Sequence, residues 1–241
     1  MSSPTAPTLL LIQTGMPPAD IQSHHGDLPT WFAPLLARWE HAVQTIRVFA
    51  GDPLPAPDSR TVAVITGAWE MVTDRLDWSE QTAAWIRQAV AARAAIFGVC
   101  YGHQLMAHAL GGEVDYHPDG IEIGSKTVSL TTSDDPLLAG MPRQFPAQLT
   151  HMQTITRLPE DAVALATSAH DRFQIVRYGE KAWSSQFHPE ITPAILSTII
   201  HSRAERLRGV GVCPDTLSES LRETPEATAL LTRFVAQHMA G

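Results

Sequence analysis

Cysteine is scarce in this chain: among 241 residues there are two, Cys100 and Cys213. So few exclude a disulfide scaffold and point to a reducing, cytoplasmic setting. Positive charge is thin as well. Seventeen Lys and Arg stand against 25 Asp and Glu, for a net charge of −8. No basic run occurs, which excludes a nucleic-acid backbone as the main partner, because phosphate binding needs clustered Lys and Arg. Long apolar runs are missing too. The opening stretch MSSPTAPTLLLIQTG has no basic start, and its apolar run from Leu9 to Ile12 is too short for a secretory leader. Nothing approaches the roughly 20 apolar residues of a membrane span, so no membrane partner is expected. Repeats, low-complexity tracts and linkers are also missing. What is present is a composition 44% hydrophobic and 17% charged, which supports a packed core. The length predicts one large domain over 1–241 or a domain with a C-terminal extension.

Short apolar runs alternate with helical patterns. Residues 8–14 (TLLLIQT), 45–50 (TIRVFA), 61–66 (TVAVIT) and 94–99 (AAIFGV) are continuously apolar, as strands covered on both faces are. Residues 31–41 and 79–92 carry apolar side chains at helical spacing. Strand–helix alternation implies βαβ units and a mostly parallel α/β sheet flanked by helices. Closely spaced strand-like pieces follow at 127–131, 148–154, 162–166, 174–178 and 182–187, and predict a smaller antiparallel section. Helices return at 193–207 and 225–239, with 208–224 between them read as loop holding at most one helical turn.

The segment AAIFGVCYGHQLMAHALGG, residues 94–112, carries the chemistry. A strand runs into Cys100, a helix leaves it, and Gly98 and Gly102 bracket the turn. A nucleophile at such an elbow is held in strained backbone geometry and needs small neighbours. The first amides of the helix favour thiolate over thiol and can hold an oxyanion. Cys213 lies in GVCPD without an elbow and is read as a bystander.

A cysteine nucleophile needs a histidine to move its proton. Among 11 histidines, context selects His188 in AWSSQFHPE. Pro189 restricts it to extended geometry and helps end the strand. Glu190 can orient the ring, as a triad carboxylate does. His103 is expected to face solvent and His108 to pack on its helix. His24, His25 and Asp27 form a polar loop cluster after the first strand. It is read as a pocket rim or partner contact rather than a metal site; neither a metal nor a cofactor is expected.

GVCYGHQL and QFHPE resemble the two signatures of class I glutamine amidotransferase domains, and the resemblance covers most of residues 8–200. It implies a flavodoxin-like fold and a Cys-His-Glu glutaminase. In it Cys100 forms a γ-glutamyl thioester, His188 is base and acid, and Glu190 orients His188. It also implies backbone amides of Ala68 and Tyr101 as the oxyanion hole, although Ala68-Trp69 departs from the family's Gly-Pro. Gly67, Gln104, His151 and Met152 fall at substrate-binding stations. The ITGAWEMVTD and THMQ stretches resemble stand-alone proteins related to the amidotransferase domain of GMP synthetase. The implied partners are glutamine or a γ-glutamyl compound and a synthase that receives ammonia. The 51 residues after Glu190, with a helical extension over about 201–241, exceed what the core needs and could cover an edge, support a dimer with a second copy of the chain, or shape a pocket. Two alternatives stay open. One is a γ-glutamyl peptidase or hydrolase, in which only the leaving amine differs. The other is a catalytically idle binding or regulatory module.

Overall fold

The structure is a computed structural model and describes residues 7–240; residues 1–6, part of the stretch read above for a leader, lie outside it. The chain opens with β1 (Thr8–Gln13), α1 (Ala19–His25), α2 (Leu28–Leu36), β2 (Val43–Arg47), β3 (Thr61–Ile65), α3 (Asp77–Ala91), β4 (Ala95–Val99) and α4 (Tyr101–Ala109). A strand-rich part follows: β5 (Glu113–Tyr116), β6 (Glu122–Leu130), β7 (Gln144–His151), β8 (Gln153–Arg157), β9 (Val163–Thr167), β10 (Ile175–Arg177) and β11 (Ala182–Ser185). Four helices end it: α5 (Pro193–Ser202), α6 (Ala204–Gly209), α7 (Pro214–Glu219) and α8 (Pro225–Met239).

Nine strands form one sheet in the order β2-β1-β3-β4-β11-β10-β9-β6-β7, and β5 pairs β8 apart from it. From β2 to β11 every pairing is parallel. From β11 to β7 every pairing is antiparallel. This is the mostly parallel, helix-flanked α/β sheet with an antiparallel section that the sequence predicts.

The continuous apolar runs reflect burial on both faces. Leu9, Leu11, Val62, Val64, Phe97 and Val99 pack with Phe32 and Leu36 of α2 and with Leu230, Leu231 and Phe234 of α8. Their chain neighbours Leu10, Ile12, Ala63, Ile65 and Ile96 pack with Ile86 of α3 and with Leu105 and Met106 of α4. Alternate side chains of each strand therefore feed opposite layers, as the pleat requires.

Several boundaries differ from the sequence reading. The single strand expected at 148–154 is two strands, β7 and β8, which turn at Met152. Helix 193–207 is broken at Arg203 into α5 and α6. The 208–224 loop contains α7. The helix expected at 31–41 begins at Leu28, where Asp27 Oδ1 accepts from the Leu28 amide at 2.7 Å, and it gives way to a 3₁₀ turn after Leu36. His24 and His25 end α1 rather than sitting in a loop. His103 does not face solvent but is fully buried. The reason is that its ring is on the side of α4 that packs on the sheet, with Nδ1 2.7 Å from Ser184 Oγ of β11 and the Tyr178 hydroxyl donating to its carbonyl.

Candidate active site

Two strand ends build the site. β4 and β11 are parallel neighbours, with Val99 opposite Ser185, and the Cys100 amide donates to the Ser185 carbonyl at 2.8 Å. The chain leaves β4 at Cys100 and leaves β11 towards His188, so both residues emerge at the same edge. Cys100 has φ 51 and ψ −97, a left-handed backbone that a side chain adopts only under constraint. The bracketing glycines are sterically required. A Cβ on Gly98 would lie 2.5 Å from the Gly102 carbonyl oxygen, and one on Gly102 would lie 2.6 Å from that of Ile65.

His188 is pinned by its amide, which donates to the Gln148 carbonyl at 2.9 Å. Its Nδ1 donates to Glu190 Oε1 at 2.7 Å. Its Nε2 is buried and makes no hydrogen bond to any described residue, while Cys100 acts on the ring electrostatically. Gly67 is what lets the two approach: a Cβ there would stand 3.1 Å from His188 Cε1 and 3.6 Å from the Cys100 Cβ. Cys100, His188 and Glu190 are all at least 93% buried, with exposures of 7%, 6% and 3%. Burial disfavours charge on each, yet Glu190 and the sulfur facing it raise the His188 pKa to about 10. Burial likewise pushes the Cys100 thiol up, but the His188 cation outweighs it and the net shift is downward. Both shifts run in the direction that favours thiolate and imidazolium over the neutral pair.

The turn beyond β3 presents free amides. The Thr14 hydroxyl donates to the Gly67 carbonyl at 2.8 Å, with Thr66 Oγ1 at 2.9 Å from the same oxygen. Across a trans peptide the N–H points opposite to the C=O. The Ala68 amide is therefore turned away from Thr14 and lies on the cleft that Ala68 and Cys100 line. Neither the Ala68 nor the Tyr101 amide has an acceptor among the described residues. The Tyr101 ring is occupied elsewhere: its hydroxyl lies 2.6 Å from Ser79 Oγ, and burial raises its pKa, so it stays neutral.

Gln104 and Met152 line the same cleft. Gln104 Nε2 donates to the Gln153 carbonyl at 2.7 Å and to Gln186 Oε1 at 2.9 Å, which leaves Oε1 as its free end. His151 is built as a cation. Its Nδ1 donates to the Gln153 carbonyl and its Nε2 faces Glu122 Oε2, both at 2.9 Å. Glu122 also accepts from Ser168 at 2.7 Å and from Gln174 at 3.0 Å. A carboxylate accepting three donors is ionised, so both ring nitrogens of His151 carry protons. Burial opposes this, but the hydrogen bond to Glu122 and the nearby Asp171 raise the His151 pKa, while the same contact lowers that of Glu122. His103, by contrast, is pushed down to about 3 by burial and is neutral.

Similarity to known proteins follows the same outline. The family model described as "Glutamine amidotransferase class-I" matches residues 62–201, more than half of the chain. The chain belongs to the class I glutamine amidotransferase family. It is 34% identical over 98 residues to the GMP synthase [glutamine-hydrolyzing] of Thermosipho africanus, a match covering 40% of this chain and 18% of that protein. The corresponding enzyme of Porphyromonas gingivalis is 38% identical over 97 residues, covering 40% and 19%. The match thus spans about a fifth of the length of these curated relatives. Among solved structures, a glutamine amidotransferase from Thermotoga maritima superposes with a TM-score of 0.78 at 21% identity, covering 98% of this chain and 100% of that one. A glutamine amido transferase from Methylobacillus flagellatus gives 0.73 at 25% identity, covering 98% and 94%.

The His24, His25 and Asp27 cluster does not join this site as a group of ligands. His25 Nε2 pairs with Thr198 Oγ1 at 2.7 Å and Asp27 caps α2. Among the described residues no cluster of His, Cys, Asp and Glu is placed to hold a metal. No described helix is long and apolar enough to cross a membrane. Sequence reasoning missed Thr14, Glu122 and Arg203. Each acts from another element across the fold. The one local signal was Glu122 set between two isoleucines.

Proposed function

We propose that this amidotransferase hydrolyses the side-chain amide of glutamine through a γ-glutamyl thioester on Cys100. The observation that carries the reading is the Cys100 elbow facing a His188 ring held by Glu190. The Cys100 thiolate attacks the γ-carbonyl, and the carbonyl electron pair moves onto oxygen. The Ala68 and Tyr101 amides are free to receive that oxyanion. His188 then gives its Nε2 proton to the leaving nitrogen, and ammonia departs. The neutral ring next takes a proton from water, the hydroxide attacks the thioester, and collapse releases glutamate and restores the thiolate. The curated relatives are GMP synthases that hydrolyse glutamine, and we take a synthase as the acceptor of the ammonia here.

A second reading has one specific support. The cleft on the His188 side is walled by Leu28, Trp31, Trp69, Ile191 and Ile199. Trp69 stands edge-on to Trp31 with ring centres 6.2 Å apart. An apolar wall suits a leaving amine larger than ammonia, as in a γ-glutamyl peptide. Incubating the protein with glutamine and, separately, with a γ-glutamyl peptide, and measuring ammonia and released amine, separates the two. Ammonia alone supports glutamine hydrolysis, and amine alone supports the peptidase. Turnover surviving in Cys100→Ala would remove Cys100 as nucleophile. If neither product forms, even with a synthase added, the chain is an idle module.

A further inference from the structure

Arg203 is a mostly buried cation that the proposed chemistry leaves unused. It sits at the break between α5 and α6, with φ −99 and ψ 13, just past the residues that the family model matches. Its backbone completes the end of α5, donating to the Ile199 carbonyl at 3.1 Å. Its side chain does not turn back to cap that helix. Instead Nη1 reaches across to Thr150 Oγ1 on β7 at 2.5 Å. Arg203 lines the cleft on both sides of Cys100. Burial presses its pKa down and Arg206 adds to that, while Cys100 opposes it. A guanidinium offers five N–H donors in a planar fork. Here only the Thr150 bond is made by a side chain, and no carboxylate of the described residues lies within ion-pair distance.

An unpaired charge at such a depth is costly, and cations held this way are ordinarily matched by a carboxylate. The rest of the cleft says what kind of molecule brings one. Gln104 Oε1 is a free acceptor there, and Glu70 lines the same wall. Cation and acceptors facing one space beside the nucleophile suit a group bearing both ammonium and carboxylate. We propose that Arg203 binds the α-carboxylate of the γ-glutamyl substrate, so that the site selects compounds with a free amino-acid end. This rests on the γ-glutamyl reading above.

The test uses 6-diazo-5-oxo-L-norleucine, a glutamine analogue whose diazo carbon takes a proton and is then attacked by thiolate with loss of dinitrogen. Labelling of Cys100 is followed by intact mass against reagent concentration. The wild-type chain saturates. In Arg203→Gln, which keeps a donor for Thr150, half-saturation rises about 10- to 100-fold, the worth of a hydrogen bond to a charged group. Arg203→Lys, with charge but no fork, falls between. The α-amide of the reagent labels both proteins equally poorly. Iodoacetamide, which has no carboxylate, labels Cys100 in both, so a folding defect is read separately. Equal half-saturation in wild type and Arg203→Gln overturns the assignment. So does an equal loss against the acid and its α-amide, which marks a structural role. If iodoacetamide labels the wild-type chain but the diazo reagent does not, the γ-glutamyl reading itself fails and takes this assignment with it.

Discussion

Replacing Glu190 with Gln isolates the charge behind His188 while keeping the contact. Only Oε1 of Glu190 is bonded, at 2.7 Å from His188 Nδ1, and Oε2 is buried without a partner. A glutamine can keep its oxygen on Nδ1–H, so ring orientation and tautomer survive. What is lost is a full negative charge whose centre lies about 4 Å from that of the ring, worth about 4 kcal/mol at an effective dielectric near 20. At about 1.4 kcal/mol per unit, the His188 pKa should fall by about 3 units. The present value is about 10. His188 must be protonated to give its proton to the leaving nitrogen. The alkaline limb of kcat/KM for glutamine hydrolysis should therefore move from about 10 in the parent to near neutrality in Glu190→Gln. Activity then declines through the range where the parent is flat. Ring-proton NMR of His188 reports the same shift without turnover. An alkaline limb that stays in place, with the variant folded and active, would refute the reasoning and move the origin of the raised pKa to the sulfur alone.

Other outcomes follow from the same contacts. Gly98→Ala puts a Cβ 2.5 Å from the Gly102 carbonyl oxygen and 2.8 Å from Met106 Sδ, so the elbow must shift. It should lose about 1–3 kcal/mol in urea unfolding and slow Cys100 alkylation, whereas Gly179→Ala, with open space around it, should do neither. Thr14→Val removes one of the two hydroxyl donors to the Gly67 carbonyl and should lower kcat with little change in KM, because the amide it aims is used in the transition state. Glu122→Gln breaks a buried ion pair and should cost about 3–5 kcal/mol near pH 6. The pH dependence has a definite sign. The lowered pKa of Glu122 gives stability that is present above its ordinary 4.5 and lost on acidification. The raised pKa of His151 gives stability that is present below its ordinary 6.5 and lost as pH rises through the folded value. The gap between parent and variant should close at both ends, and a constant gap in urea titrations would contradict the ion pair.

The parts of the fold legible in the sequence are those decided within a few residues. Strands covered on both faces must be apolar throughout, so β1, β3 and β4 were readable as such. The elbow was readable because Gly98 and Gly102 are forced by backbone atoms less than 3 Å from where a Cβ would be. His188 was readable through its strand end and Glu190. The misreadings share a cause in long-range packing. His103 looks like a surface position on its own helix, but its ring turns onto the main sheet, where Nδ1 lies 2.7 Å from Ser184 Oγ of β11. The turn at Met152 depends on β8 leaving the main sheet to pair with β5. Glu122 sits where simple alternation on a half-exposed strand would turn it to solvent. It is instead bound by His151 at the end of β7 and by Ser168 and Gln174 of the β9–β10 connection.

The site's charges also alternate in a way that no local pattern encodes. The sulfur faces His188, and His188 is backed by Glu190. His151, the next cation acting on the sulfur, is backed by Glu122. Each of these imidazolium ions has its acid directly behind it, which is how buried cations are made tolerable. Arg203 departs from the pattern, since it shares the same cleft with a hydroxyl for a partner and no acid. The proposed chemistry calls on two of these cations, His188 to move protons and His151 to add to the field on the thiolate. A third, delivered from the α5–α6 break beyond the matched region, serves a charge that arrives with the substrate. A γ-glutamyl group carries such a charge on the carboxylate at the far end from the reacting carbonyl. The same cation that fixes this end would leave the leaving amine free to vary. On that view Arg203 selects the acyl half of the substrate, and the apolar wall of Trp31, Trp69 and Ile199 is left to distinguish ammonia from a larger amine.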